Sequence, residues 1–285
     1  MTAGDHDVGE ADRRFRVWMR ANLDLAAARF GLKVTGEPVF GWRDRSVAAV
    51  ATLAGPAAGG PNGGRWLRVV SEQLQWAHGR AWTGNADAGV LHGLPKPHVL
   101  DAHEWAEGDW RRQRAEVMTL LPGSPCSPTD VAAGPLDPDN GWWKGLGSAL
   151  HRLAATPTDR VAIDQEKVDR RVRAAYGEEA DVRIHRWETV HGDLHWANLL
   201  TPLGIVDWEL WGRGPVGTDA ATLHCYSLTV PDLARRVRDE FPVLDTPDGR
   251  RAQLYVAARL LHRIGLGDHP RLADPLRNHV RALLR

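Results

Sequence analysis

Three observations predict an α+β chain in two lobes. Strand-like runs crowd the stretch up to Leu121, apolar repeats at helical spacing fill most of the remainder, and Pro122-Gly123 opens a loop rich in Ser, Pro, Asp and Gly between them. The boundary is placed at 122, giving a small β-rich lobe (1–122) and a larger α-rich lobe (123–285). With 285 residues, 43% hydrophobic and 25% charged, the composition is that of a folded chain of one or two domains.

Phe15, Trp18, Met19, Leu23, Ala26 and Phe30 recur at helical spacing before Gly31, which predicts an amphipathic helix over 11–30. The period then shortens. Residues 38–42 and 47–53 read as strands joined by the polar turn Arg43 to Ser46. Gly55 to Gly64 reads as a mobile connection and 65–70 as the next strand. Thr83 is expected to cap a helix ending near Leu94 before Pro95 and Pro97. Strands follow over 99–105 and 114–121. In the second lobe, helices are predicted at 141–155, 164–176, 219–228, 231–241, 249–263 and 270–284.

Lys+Arg 36 balance Asp+Glu 36, so no global basic field points to nucleic acid or an anionic membrane surface as partner. Cys126 and Cys225 build no disulfide framework and read as small buried thiols. Met1 to Glu10 lacks the apolar core of a secretion signal, and no run approaches the roughly 20 apolar residues of a membrane span, which predicts a soluble cytoplasmic protein. Only four of the basic residues are Lys (Lys33, Lys96, Lys144, Lys167), a habit of GC-rich coding that bears on the nucleotide site below.

One segment carries chemistry: His191-Gly192-Asp193-Leu194-His195-Trp196-Ala197-Asn198, then Gly204-Ile205-Val206-Asp207-Trp208-Glu209. Apolar stretches around a polar turn form a short hairpin that brings Asp193, Asn198 and Asp207 together. A carboxylate beside an amide oxygen and a second carboxylate suits phosphoryl transfer: one takes the hydroxyl proton, the others hold Mg²⁺ against nucleotide phosphates. The whole string resembles the aminoglycoside phosphotransferases and their choline-kinase-like relatives, which share the protein-kinase-like fold.

The resemblance implies an ATP- (or other NTP-) and Mg²⁺-dependent transfer of phosphate to a small hydroxylated acceptor. Asp193 would be the catalytic base, Asn198 and Asp207 the Mg²⁺ ligands, and His191 and Asp219 the braces of the loop. In the first lobe Arg68 stands at the position of the family's strand lysine, and Asp87 where its helix glutamate is usual; the two read as a compensating pair. Ser46 in the turn, and Met118, Thr119 and Leu120 in the hinge-like strand, would contact nucleotide. His151, in a Leu-His run, reads as core packing.

Trp196, Trp208, Glu209 and Trp211 would bind the acceptor, the indole faces suiting sugar rings or cations. Residues 212–285 carry 12 Arg against seven Asp and one Glu, which argues against a polycationic acceptor. Two alternatives remain open at this point: a nucleotide-binding relative that has lost turnover through Arg68, and a metal-dependent hydrolase using His191, Asp193 and His195.

Overall fold

The structure is a computed structural model that describes residues 3–54 and 63–285, with side chains from residue 9 onward. The connection expected over 55–64 therefore lies largely outside the described residues. The chain divides into two compact units, Met1–Gly89 with Pro97–Leu121, and Val90–Lys96 with Pro122–Arg285.

The first unit is a helix on an antiparallel sheet. Helix α1 (Ala3–Arg29) precedes strands β1 (Leu32–Val34), β2 (Val39–Phe40), β3 (Ser46–Leu53), β4 (Gly64–Gln73), β5 (Val99–Glu107) and β6 (Arg111–Thr119), with α2 (Gly79–Asp87) inserted after β4. The strand order is β1-β3-β4-β6-β5, with β2 also pairing β3. Met19, Leu23, Ala26 and Ala27 line one stripe of α1 and bury against Val47, Ala49, Ala51, Leu67, Val69, Ala115 and Val117. Alternation in β4 and β6 sends those odd-numbered residues to α1 and turns Arg68, Arg114 and Glu116 to the opposite face. Burying Met19 and Leu23 alone contributes about 1.5–3 kcal/mol each.

Several boundaries differ from the sequence expectation. Strand β1 was not expected; a three-residue run has too few residues to show alternation. The stretch expected as strand through Trp42 instead turns into a 3₁₀ segment at Trp42–Asp44, with Arg43 and Asp44 at φ 51° and 55°. Thr83 lies inside α2 rather than capping it, and its hydroxyl donates to Asp87 Oδ2 at 2.7 Å.

The second unit is mostly helical: α3 (Asn140–Ala154), α4 (Gln165–Tyr176), α5 (Thr218–Ser227), α6 (Pro231–Glu240), α7 (Pro247–Gly265) and α8 (Ala273–Leu283). Asp139, Asp164 and Thr246 cap α3, α4 and α7 by accepting from Trp142, Lys167 and Gly249 N–H. Every residue of α5 is buried, which makes it the central helix of this unit. Short strands β7 (Ser124–Pro125), β8 (Trp187–Val190), β9 (Leu199–Thr201), β10 (Gly204–Ile205) and β11 (Gly212–Pro215) pair as β10-β9-β7 and β11-β8.

Segment 90–96, placed in the first lobe by the sequence boundary, belongs to this unit. Pro95 C=O accepts from Ile205 N–H at 2.7 Å, and Lys96 is buried, its ammonium pKa lowered by desolvation. His151, expected in the core, is exposed, because Leu146, Ala149 and Leu153 take the inward stripe of α3. Cys225 is buried as expected, whereas Cys126 is only half-buried. Among the described residues no helix is long and apolar enough to cross a membrane.

Candidate active site

Residues 191–207 lie between β8 and the end of the β9–β10 hairpin, whose register sets Gly204 opposite Leu200 and Ile205 opposite Leu199. The hairpin carries the chain back so that Val206 N–H donates to Asn198 C=O at 2.9 Å, placing Asp207 next to Asn198. Asn198 Nδ2 lies 3.0 Å from Asp193 C=O and 3.1 Å from His195 Nε2. Both amide hydrogens are thereby engaged, which leaves Oδ1, the atom a hard cation needs, as the group Asn198 can offer. Asp207 holds φ 63°, a left-handed conformation that Asp tolerates better than most residues.

Asp219, near the N-terminus of α5, accepts from the N–H groups of His191 at 2.7 Å and Gly192 at 2.9 Å. Burial pushes its carboxyl pKa up to about 7 against those two hydrogen bonds. Gly192 sits at φ +85°, and a Cβ there would lie 2.5 Å from Leu210 C=O, so the close approach requires glycine. His191 is fully buried and its pKa is lowered to about 4 by desolvation, so the ring is neutral at pH 7. Its Nδ1 accepts from Asp193 N–H at 3.4 Å and its Nε2–H donates to Val206 C=O at 3.0 Å. With both nitrogens used inside the loop, His191 has no lone pair for a metal, which removes the hydrolase arrangement of His191, Asp193 and His195.

Two residues were missed by the sequence reading. Arg259 of α7 donates to Gly192 C=O at 2.7 Å and lies 3.4 Å from Asp193 Oδ1. Asp130 lies 3.7 Å from His195 Nε2, 3.2 Å from Arg263 Nη1 and 3.3 Å from His269 Nε2. Burial pushes the Asp130 carboxyl up, but His269, His195 and Arg263 overcome this and hold it well below the usual carboxylate range. A signal for Arg259 was present: it falls among Tyr255, Val256, Ala257, Ala258 and Leu260, all buried, where an unpaired cation would be costly.

The indole faces proposed for the acceptor are instead core. Trp196, Trp208 and Trp211 are 0%, 1% and 3% exposed, and Glu209 is buried beside them. Trp196 stacks on Trp142 and donates to Ser227 Oγ at 2.9 Å. Trp208 meets the His191 ring edge-on and donates to Ile205 C=O, while Trp211 lies under the Arg160 guanidinium. The indole N–H groups of Trp196 and Trp208 find partners indoors, so these rings pack into the core around the loop.

In the first unit, Arg68 is set directly opposite Glu116 by the β4–β6 register, with Nη1 3.8 Å from Glu116 Oε2. Glu116 also receives Arg114 Nε and Asn85 Nδ2, each at 2.9 Å, and Arg114 reaches Glu104 at 2.6 Å. The sequence pairs Arg68 with Asp87; the structure sets Glu116, on the neighbouring strand, beside Arg68, and Asp87 accepts from the Thr83 hydroxyl. Ser46 begins β3, and its C=O accepts from Gly41 N–H at 2.9 Å. Met118 is buried in the sheet. Thr119 spends its N–H on His98 C=O and its Oγ1 on His98 N–H, so of these three only Leu120 stands past the ladder, 40% exposed.

Glu116→Gln keeps the shape but removes the charge that balances Arg68 and Arg114. It is expected to lower unfolding stability by about 2 kcal/mol in denaturant titration. A loss below a few tenths would mean that the ladder is not balanced through Glu116.

No family model matches the chain, and no curated protein matches it. Solved structures do. A thermostable mutant of aminoglycoside phosphotransferase APH(4)-Ia, in ternary complex with ADP and hygromycin B, matches with TM-score 0.58 and 15% identity over 92% of this chain and 97% of that one. Its counterpart with AMP-PNP and hygromycin B gives TM-score 0.58 at 15% identity, over 93% of this chain and 98% of that one. The apo form of that enzyme gives 0.51 at 16% identity over 91% and 97%. At this identity the likeness speaks for architecture: the chain has the kinase-like α+β fold of an aminoglycoside phosphotransferase.

Proposed function

We propose that the chain is an ATP- and Mg²⁺-dependent phosphotransferase that places the γ-phosphoryl group on a hydroxyl of a small molecule. The observation that carries this reading is the Asn198 side chain. Its two N–H hydrogens are engaged by Asp193 C=O and His195 Nε2, which leaves Oδ1 as the donor atom it can offer, and the bond from Val206 N–H to Asn198 C=O brings the backbone of Asp207 near it. An amide oxygen and a carboxylate form a hard-donor set that fits Mg²⁺, with remaining positions for water and phosphate oxygens. Bound there, Mg²⁺ would neutralise charge on the nucleotide phosphates.

The chain's own groups do the rest. Asp193, 24% exposed at its side chain, presents a carboxylate to the acceptor hydroxyl and takes its proton as the O–P bond forms. Arg259 fixes that carboxylate and the backbone just before it. Asp219 and His191 hold the loop from behind. In the first unit Arg68, Asp87, Ser46, Met118, Thr119 and Leu120 are assigned to the nucleotide, with Leu120 best placed to offer free backbone groups. The complexes of APH(4)-Ia with ADP or AMP-PNP and hygromycin B support a nucleotide and a small acceptor. Arg259 and Arg263 close to Asp193, with the basic balance of 212–285, favour a neutral or anionic acceptor over a polycation.

The test is ATP consumption over a panel of sugars, amino alcohols and hydroxylated acids, with and without Mg²⁺. Turnover that needs both Mg²⁺ and one class of hydroxyl compound is expected. ATP binding without turnover on any acceptor would favour the non-catalytic alternative. Asp207→Ala should weaken Mg²⁺-dependent nucleotide binding by about tenfold or more in calorimetric titration; unchanged affinity would take Asp207 out of the ligand set.

A further inference from the structure

We propose that His224, Cys225 and His279 form a Zn²⁺ site, separate from the Mg²⁺ ligands above, with two imidazole nitrogens and one thiolate as donors. His224 and Cys225 are consecutive on α5 and His279 lies on α8. Their donor atoms all fall within 4.8 Å of one another, a combination met once among the described residues. His224 and Cys225 are buried, 5% and 0% exposed, and His279 is partly so. His224 Nδ1 and His279 Nε2 are both shut off from solvent, with no hydrogen-bond partner among the described residues. A buried imidazole nitrogen left so is unfavourable, and here two such atoms gather around a thiol.

Ring geometry agrees: the imidazoles are 4.9 Å apart at 56°, neither stacked nor edge-on. Zn–N and Zn–S bonds of about 2.0–2.3 Å place tetrahedral ligands about 3.5 Å apart, so side-chain movements of about 1 Å close the site. Imidazole and thiolate donors select Zn²⁺ over Mg²⁺ or Ca²⁺. The half-exposed His279 provides the way in, and water takes the fourth position.

The surroundings carry charges of both signs. Arg238 faces both imidazoles and opposes a dication, but it is bound to Asp245, which also faces His224; Arg259 faces Cys225. Burial holds both histidines at about 4, hence neutral with a lone pair at pH 7, and holds the thiol at about 12. On binding, the Cys225 S–H bond breaks, the S–Zn bond forms and one proton leaves to solvent. The ion would tie α8 to α5, the helix that carries Asp219.

The experiment uses the full chain, stripped of metal with a chelator and titrated with Co²⁺ as a spectroscopic stand-in for Zn²⁺. One equivalent is expected to produce a thiolate-to-cobalt absorption band that Zn²⁺ abolishes by displacement, and Zn²⁺ should raise the melting temperature. Cys225→Ser should remove the band and Cys126→Ser should leave it. His279→Gln, at a half-exposed position that tolerates the change, should weaken Zn²⁺ at least about tenfold in competition with a chromophoric chelator. Co²⁺ held only by Asn198 and Asp207 would give no thiolate band. Absence of that band in the parent chain, its survival in Cys225→Ser, or undiminished Zn²⁺ affinity in His279→Gln overturns the site.

Discussion

Asp193→Ala is expected to lower kcat for phosphate transfer by roughly three orders of magnitude, with nucleotide affinity within about twofold of the parent. A positioned base contributes about 10²–10⁴ in rate, and Asp193 also orients the attacking hydroxyl, so both contributions vanish together. Arg259 would keep its bond to Gly192 C=O, so the loop should stay in place and the loss should fall on chemistry. Asp193→Asn sharpens the test, since it preserves shape and hydrogen bonding but cannot take a proton. If the carboxylate is the base, Asn is as inactive as Ala. An Asn variant retaining a tenth of parental kcat would reduce Asp193 to an orienting residue, and undiminished turnover in the Ala variant would falsify the assignment outright. Steady-state ATP turnover with the acceptor found in the panel, paired with nucleotide titration, reads both quantities.

Much of this site was legible in the sequence because its parts are local. Asp193, Asn198 and Asp207 lie within fifteen residues, and a hairpin between the last two is the only device needed to bring them together. Asp219, 26 residues beyond Asp193, was legible through the family resemblance, and its carboxylate meets two consecutive N–H groups of the loop. The partners of Arg259 and Asp130 were not legible, although the apolar surroundings of Arg259 mark it as a cation in need of one. Their partners are 66 and 65 residues away from them, and nothing in local spacing links α7, or the loop before α3, to residues 192–195. Glu116 escaped for another reason: Arg68 meets it through strand register, and register is set by long pairings that single-strand periodicity does not reveal.

The tryptophans show the limit of reading chemistry from residue type. An indole beside a catalytic loop offers a flat face for ligand, but it also offers the largest apolar area available to a small core. In Trp196, Trp208 and Trp211 burial wins, with each at 3% exposure or less. At the strand level, the long elements β3, β4 and β6 were legible through alternation. The two- to four-residue strands β7, β8 and β11 were not, because pairing with distant partners, not composition, makes them strands.

Asp219→Ala is expected to destabilise the chain by about 3 kcal/mol and to lower kcat at least about a hundredfold. Removing the carboxylate leaves the His191 and Gly192 N–H groups without their acceptor, in a place that excludes water. Each such orphan costs about 1–3 kcal/mol. Gly192, already held in a left-handed conformation against Leu210 C=O, then keeps only the Arg259 bond to its C=O and loses the anchor on its N–H, and Asp193 follows it by one residue. Asp219→Asn should not rescue fully, although it is nearly isosteric. One N–H can still donate to the amide oxygen, but the other would face an NH₂ group, donor against donor. The order of stability should therefore be Asp, then Asn, then Ala, in both denaturant midpoint and kcat. Asn equal to Asp in both measurements would show that one hydrogen bond suffices, while Ala equal to Asp would show that the loop is held by Arg259 and His191 alone.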